Sequence, residues 1–345
     1  MNVIRKFSAA LILSGLSVIM PLSGWSQTTG FKVLNDYKIN SPGGWDYILV
    51  DGANKRVYVS HGTQVNVLST TGDSLGYIPK TMGVHGIALV QSLGKGYTSN
   101  GRANSITVFD LKTLTATGEI VLTAKNPDAI FYDDFSKKII TCNGGSHDLS
   151  FVDPVTEKTV ATVQLGEKLE TAVSDGKGKI FVNGEDNSTV HVVDATTFKE
   201  IANYKIDGGS SPSGLDIDRQ TNRLFIGCGD SKTMVVMDAS NGKTLGTFPI
   251  GRTDGLVFDP GLKIAYASNG EGTITAVREV NANKFELIEN ITSEPGARTI
   301  GIDLVTHHLY LPTAKFGTAA AATTENPRPR PPMVPGSFHV IEVGK

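Results

Sequence analysis

The 345-residue sequence has two cysteines, two tryptophans and no cluster of five or more basic residues. So few cysteines exclude a disulfide-stapled scaffold. Balanced charge, 32 Lys and Arg against 34 Asp and Glu, excludes the basic footprint that nucleic-acid binding requires. No uninterrupted apolar run reaches the ~20 residues of a membrane span. The longest apolar stretch, Ala9 to Leu22, is broken by Ser14, Ser17 and Pro21. A Gly-x-Ser-x-Gly elbow, a P-loop, a dinucleotide fingerprint and an HExxH-type metal motif are all missing, which leaves no local catalytic signature.

What the N-terminus does have is Arg5 and Lys6, then the apolar stretch, then small residues at Gly24 and Ser26. That layout predicts a secretory signal peptide over residues 1–26, with no Cys after it to carry a lipid anchor. The mature chain is expected to be periplasmic or secreted, with no transmembrane span after signal removal. Loss of Arg5 and Lys6 takes the formal charge from −2 to −4.

From there one phrase recurs seven times. An apolar strand ends at Asp51, Val90, Asp133, Asp175, Asp218, Asp259 and Asp303, 39 to 44 residues apart. Each end is followed by a polar turn and a second strand carrying Tyr58, Tyr97, Ile140, Phe181, Phe225, Tyr266 or Tyr310. A period of roughly 40–45 residues built from strand patterns means a β-propeller with one four-stranded blade per repeat. The reading is therefore all-β: one seven-bladed β-propeller of antiparallel blades over residues 27–345. In repeat five the strands are Gly214–Asp218, Arg223–Cys228, Thr233–Asp238 and Thr244–Ile250. The last repeat runs out after Phe338–Val343, whereas Phe31 to Ile39 has no blade of its own. Placing Phe31–Ile39 as the outer strand of blade seven closes the ring and removes an unpaired edge. Cys142 and Cys228 fall in non-neighbouring blades and are expected as free thiols.

The second-strand phrases Tyr58-Val59-Ser60-His61, Tyr97-Thr98-Ser99-Asn100 and Tyr266-Ala267-Ser268-Asn269 resemble the Tyr-Val-Thr-Asn repeat of the YVTN family of bacterial propellers. The C-terminal stretch Leu311-Pro312-Thr313-Ala314, with Asn326-Pro327-Arg328-Pro329-Arg330-Pro331-Pro332 and Pro335-Gly336-Ser337-Phe338, is similar to the ending of YncE-like members. The resemblance covers the whole mature chain. It implies the propeller fold, and single-stranded DNA binding is attributed to some members; the acidic balance argues against that role here.

Five residues before each inner-strand end stand Asp46, His85, Asp128, Glu170, Ser213, Asp254 and Arg298. Topology carries these around one mouth of the channel, the place where propellers keep their sites. Trp45, Asp46, His85, Asp128, Glu170, Asp254 and Arg298 are the expected ligand-binding residues; channel-mouth residues that merely cap their own loops are the bland alternative. His85, Asp128, Glu170 and Asp254 are the candidate acid/base groups, Arg298 the partner for an anion, and Trp45 a platform for a sugar or aromatic ring. The second strands leave at His61, Asn100, Asn143, Asn183, Cys228, Asn269 and Thr313 on the same rim. Asn there is read as a residue that tolerates left-handed turns before Gly. His61, His85 and His147, from the first three blades, are the candidate metal ligands, since imidazole with carboxylate suits Zn²⁺ or Mn²⁺. No cofactor beyond that divalent ion is suggested.

The one large irregularity is the Pro-rich loop 315–336, read as a lid over this mouth, a disordered flap or a segment for a partner. Two functions follow. One is a module that binds a small molecule, glycan or protein at the funnel; the other is a metal-assisted or acid/base lyase or hydrolase working there on an extracytoplasmic substrate.

Overall fold

The computed structural model describes residues 28–321, 323, 324, 329 and 331–345. The expected signal peptide, and Asn326, Pro327, Arg328 and Arg330 of the Pro-rich loop, lie outside the described residues. Seven four-stranded sheets follow one another, each antiparallel and each in sequential strand order except the last. Blade five has strands Pro212–Asp218, Arg223–Cys228, Thr233–Asp238 and Thr244–Pro249. Its inner strand starts two residues earlier than the sequence pattern suggests. Among the described residues no helix is long and apolar enough to cross a membrane.

The repeated residues each have a mechanical task. Asp133, Asp175, Asp218, Asp259 and Asp303 accept hydrogen bonds from backbone N–H groups two to four residues on, the Asx-turn chemistry that closes a tight connection. Several also hold the next blade. Ser174 Oγ donates to Asp133 at 2.6 Å, Lys263 Nζ to Asp218 at 2.8 Å, and His307 Nδ1 lies 2.8 Å from Asp259. In repeat two Val90 cannot do this. A short 3₁₀ turn, Gln91–Leu93, takes over, and Gln91 Nε2 reaches back to Asp51 at 2.7 Å.

The core is divided as the blades are. Seven apolar clusters are found among the described residues, one between each pair of neighbouring blades. Tyr58, Tyr97, Ile140, Phe181, Phe225, Tyr266 and Tyr310 are all buried, each in the cluster shared with the following blade. Two of the phenols find an acceptor in the next blade: Tyr97 Oη donates to the Pro154 carbonyl at 3.1 Å and Tyr310 Oη to that of Thr70 at 3.0 Å. Cys142 and Cys228 are free thiols buried in two different interfaces.

Ring closure follows the expected route. The N-terminal strand Lys32–Lys38 pairs with His339–Gly344, so blade seven is completed by both ends of the chain. Asn35 Nδ2 and Tyr37 Oη both donate to Glu342, at 2.7 and 2.5 Å, and His308 Nδ1 lies 2.6 Å from the same carboxylate. Blade seven is otherwise the thinnest, its inner strand reduced to Gly301–Ile302.

Candidate functional site

In the inner strands of blades one to six the pairing slips at one corresponding place. The slips lie between Trp45 and Ile48, Val84 and Ile87, Pro127 and Ile130, Leu169 and Ala172, Pro212 and Gly214, and Thr253 and Gly255. A bulge leaves a residue out of the ladder and re-aims its side chain. The residues so released include Asp46, His85, Asp128, Glu170, Ser213 and Asp254, and Arg298 occupies the corresponding place before the short strand of blade seven.

In blades one, two and six a Ser of the second-strand phrase pins the backbone around this position. Ser60 Oγ accepts from the Asp46 N–H at 2.9 Å. Ser99 Oγ accepts from the Gly86 N–H at 2.9 Å and donates to the Asp128 carbonyl in the next blade. Ser268 Oγ donates to the Arg298 carbonyl at 2.6 Å. The position after each ring residue is crowded between neighbouring inner strands. At Gly255 an added Cβ would stand 2.9 Å from the backbone of Thr299 and Ile300, which explains Gly, Ala or Thr in six of the seven repeats. The seventh is Tyr47. Its ring packs against the cluster of blades three and four, and its hydroxyl lies 3.5 Å from Thr171 Oγ1. Tyr47 therefore reaches from blade one to blade four and stoppers the channel. Its signal in the sequence is one aromatic in a column of small residues.

Above Tyr47 lies a cleft of about 210 Å³ lined by Asp46, Asp128, Glu170, Ser213, Asp254 and Arg298 among others. Three charged groups share it. In the first, His85 Nδ1 lies 2.6 Å from Asp46 Oδ2 and 3.6 Å from Asp128 Oδ1. Burial alone would lower the His85 pKa, but the hydrogen bond to Asp46 and the charges of Asp128 and Asp46 outweigh it and raise it to about 9. Burial lifts the Asp128 carboxyl to about 6 against the opposing pull of His85. In the second, Lys168 Nζ bridges Glu170, at 2.5 Å, and Glu185. Burial, the Asp128 charge and pairing with Glu185 push Glu170 up to about 8. In the third, Arg298 donates to Asp254 and, through Nη2, to the Trp45 carbonyl at 3.1 Å.

Asp46, His85 and Asp128 form a candidate tridentate metal site, the one such group among the described residues. The expected trio of His61, His85 and His147 does not come together there. His61 is buried, with Nδ1 2.5 Å from Ser41 Oγ and Nε2 2.7 Å from the Gly43 carbonyl, and its ring stacks on Phe338 at 3.9 Å. Both ring nitrogens are thus in use within the fold. His147 is the left-handed residue of its turn, at φ 62°.

Trp45 is not a platform in the cleft either. Its ring packs against Phe338 and Phe316, at 5.2 and 5.9 Å between centroids, and does not line the cleft. The rim asparagines have a different task from the one expected. Asn100, Asn143 and Asn269 are buried, lack a positive φ, and donate across to Thr107, Ser150 and Thr275 of the third strand; Asn183 donates to the Ser213 and Gly214 carbonyls of the next blade. They stitch strands and blades; they do not form turns. The foot of the 315–336 loop is a short ladder, with a bridge between Phe316 and Met333. None of its described residues lines the cleft.

No protein-family model matches the chain, and no curated protein does. Among solved structures, hydrazine synthase of Kuenenia stuttgartiensis is similar, with a TM-score of 0.68 over 79% of this chain and 93% of that one at 13% sequence identity. At that identity the likeness is one of fold.

Proposed function

We propose that this chain is an exported, YncE-like propeller that binds a small polar ligand at the channel mouth. The observation that carries this is the blind cleft: bulged acids, joined by Lys168 and Arg298, line one well that Tyr47 closes below. A structural rim needs no such mixture. The volume of about 210 Å³ falls below the roughly 300–1,000 Å³ of drug-sized sites, which favours a compact ligand over a glycan chain or a protein segment. The polar walls favour one that carries charge or several hydroxyls.

A thermal-shift screen of amino acids, monosaccharides, small dicarboxylates and diamines tests the reading. A hit should bind the wild-type protein by calorimetry and weaken when Glu170 or Asp254 is replaced by Ala. Hits that survive both replacements, yet fail when turns on the opposite face are changed, would place the site elsewhere.

A second reading, an acid/base lyase or hydrolase, is favoured by one specific feature. Glu170 holds its proton at neutral pH, while Asp128, with its pKa raised to about 6, is mostly ionised beside His85, the pairing of states that a general acid and base require. Turnover of a bound ligand, lost in Glu170→Gln with binding retained, would favour it.

A further inference from the structure

We infer that Asp46, His85 and Asp128 take a divalent cation of the Mn²⁺ or Zn²⁺ type, which forms part of the ligand site. The inference rests on reading the mouth as the binding site, and it goes further by naming what stands between protein and ligand.

The donors are already gathered. One ligand atom from each residue lies within 4.8 Å of the others. Atoms held about 2.0–2.2 Å from one ion sit roughly 2.8–3.6 Å from each other, the shorter values in octahedral and the longer in tetrahedral sites. The observed separations of 2.6 Å for His85–Asp46 and 3.6 Å for His85–Asp128 fall just below that range and at its upper end.

A second observation points to a missing partner. Asp128 is nine-tenths buried and lines the cleft, yet its carboxylate makes no hydrogen bond among the described residues. A buried carboxylate without a hydrogen bond is costly. The cations nearby are committed: Lys168 to Glu170 and Glu185, Arg298 to Asp254 and the Trp45 carbonyl. His85 is the sole charged neighbour within 4 Å of it and spends its nearer contact on Asp46. A divalent ion among the three would satisfy both aspartates at once.

The scaffold holds the donors in place. Asp46 is fixed at both ends of its peptide, its N–H to Ser60 Oγ and its carbonyl accepting from Thr299 Oγ1 at 2.7 Å. The Asp128 carbonyl accepts from Ser99 Oγ. The His85 ring lies against Gly101, where an added Cβ would fall 2.5 Å from Nε2. One imidazole and two carboxylates suit borderline to hard divalent ions and leave coordination positions open toward the cleft. A small ligand with a carboxylate or paired hydroxyls would complete them.

The test is calorimetric titration of the chelator-stripped protein with Mn²⁺ and with Zn²⁺. One ion per chain is expected, with affinity reduced more than about 100-fold in Asp128→Asn and His85→Ala, since even outer partners of metal ligands cost that much. His147→Ala should bind as the wild type does. Circular dichroism identifies any variant that has not folded, and the near-isosteric Asp128→Asn keeps the test decisive if His85→Ala is lost. Absence of binding tighter than millimolar, or binding that both variants leave within a few-fold, would overturn the site. If no ion binds while a small polar compound still stabilises the protein, the metal is overturned and the cleft reading stands.

Discussion

Glu170 carries its proton at neutral pH because burial and two neighbouring carboxylates disfavour its charge. A carboxyl whose pKa is higher in the folded state gives stability that is complete below its unfolded value and fades as pH rises through the folded one. Here that window runs from the ordinary 4.5 to about 8. Stability should therefore decline across it, and Glu170→Gln should flatten the decline, as denaturant melts at several pH values would show. Glu279 provides a second case. Its carboxyl is buried beside Asp218 and Thr221 without a well-formed hydrogen bond, and burial, with the Asp218 carboxylate, raises its pKa. Glu279→Met is expected to stabilise the protein by about 1–3 kcal/mol, the usual cost of an unsatisfied buried polar group. An unchanged or lower denaturation midpoint would refute this. The columns of the repeat made Asp46, His85, Asp128 and their fellows legible, because one position per blade points the same way. They could not tell that His61 turns inward onto Phe338, since that depends on the loop entering from Ser41 and on the last blade, far away in sequence.

Among the strands, the bulge decides what faces the channel. Its cost is a tight fit between inner strands, so Gly255→Ala should destabilise by about 1–3 kcal/mol, the range for an overpacked site. A neutral result in thermal melts would mean that the strands can part. The closing strand Lys32–Lys38 covers the edge of His339–Gly344. Removal of residues 27–40 should lower the melting temperature sharply and promote aggregation through the bared edge; an unaltered melting curve would contradict the closure. Closure was readable from a surplus strand at one end and a deficit at the other. The bulges were not, because no single residue type marks them. Their trace in sequence is indirect: a small residue after six of the seven ring positions and, in three blades, a Ser just before the last residue of the second strand.

For the whole molecule, the period of the repeat carried the architecture, and the site's chemistry stayed hidden because seven similar phrases differ at single positions. The formal charge of −2 and the absence of a basic cluster lead to a further expectation. Single-stranded DNA should bind no more tightly than non-specific levels, roughly 10⁻⁴–10⁻⁶ M at physiological salt. A nanomolar affinity with a steep salt dependence would reverse this and favour the DNA-binding role attributed to some members of the family it resembles.

The seam in blade seven also sets an order of events in time. Asn35 meets Glu342 across 307 positions of chain, and contacts so remote in sequence form slowly. During synthesis Lys32–Lys38 has no partner until His339–Gly344 has left the ribosome. Blades one to six can assemble as they emerge, each against its predecessor, but the arc they form stays open. A nascent chain that has not yet exposed His339–Gly344 is an incomplete ring, and the fold becomes whole only when that strand pairs with Lys32–Lys38.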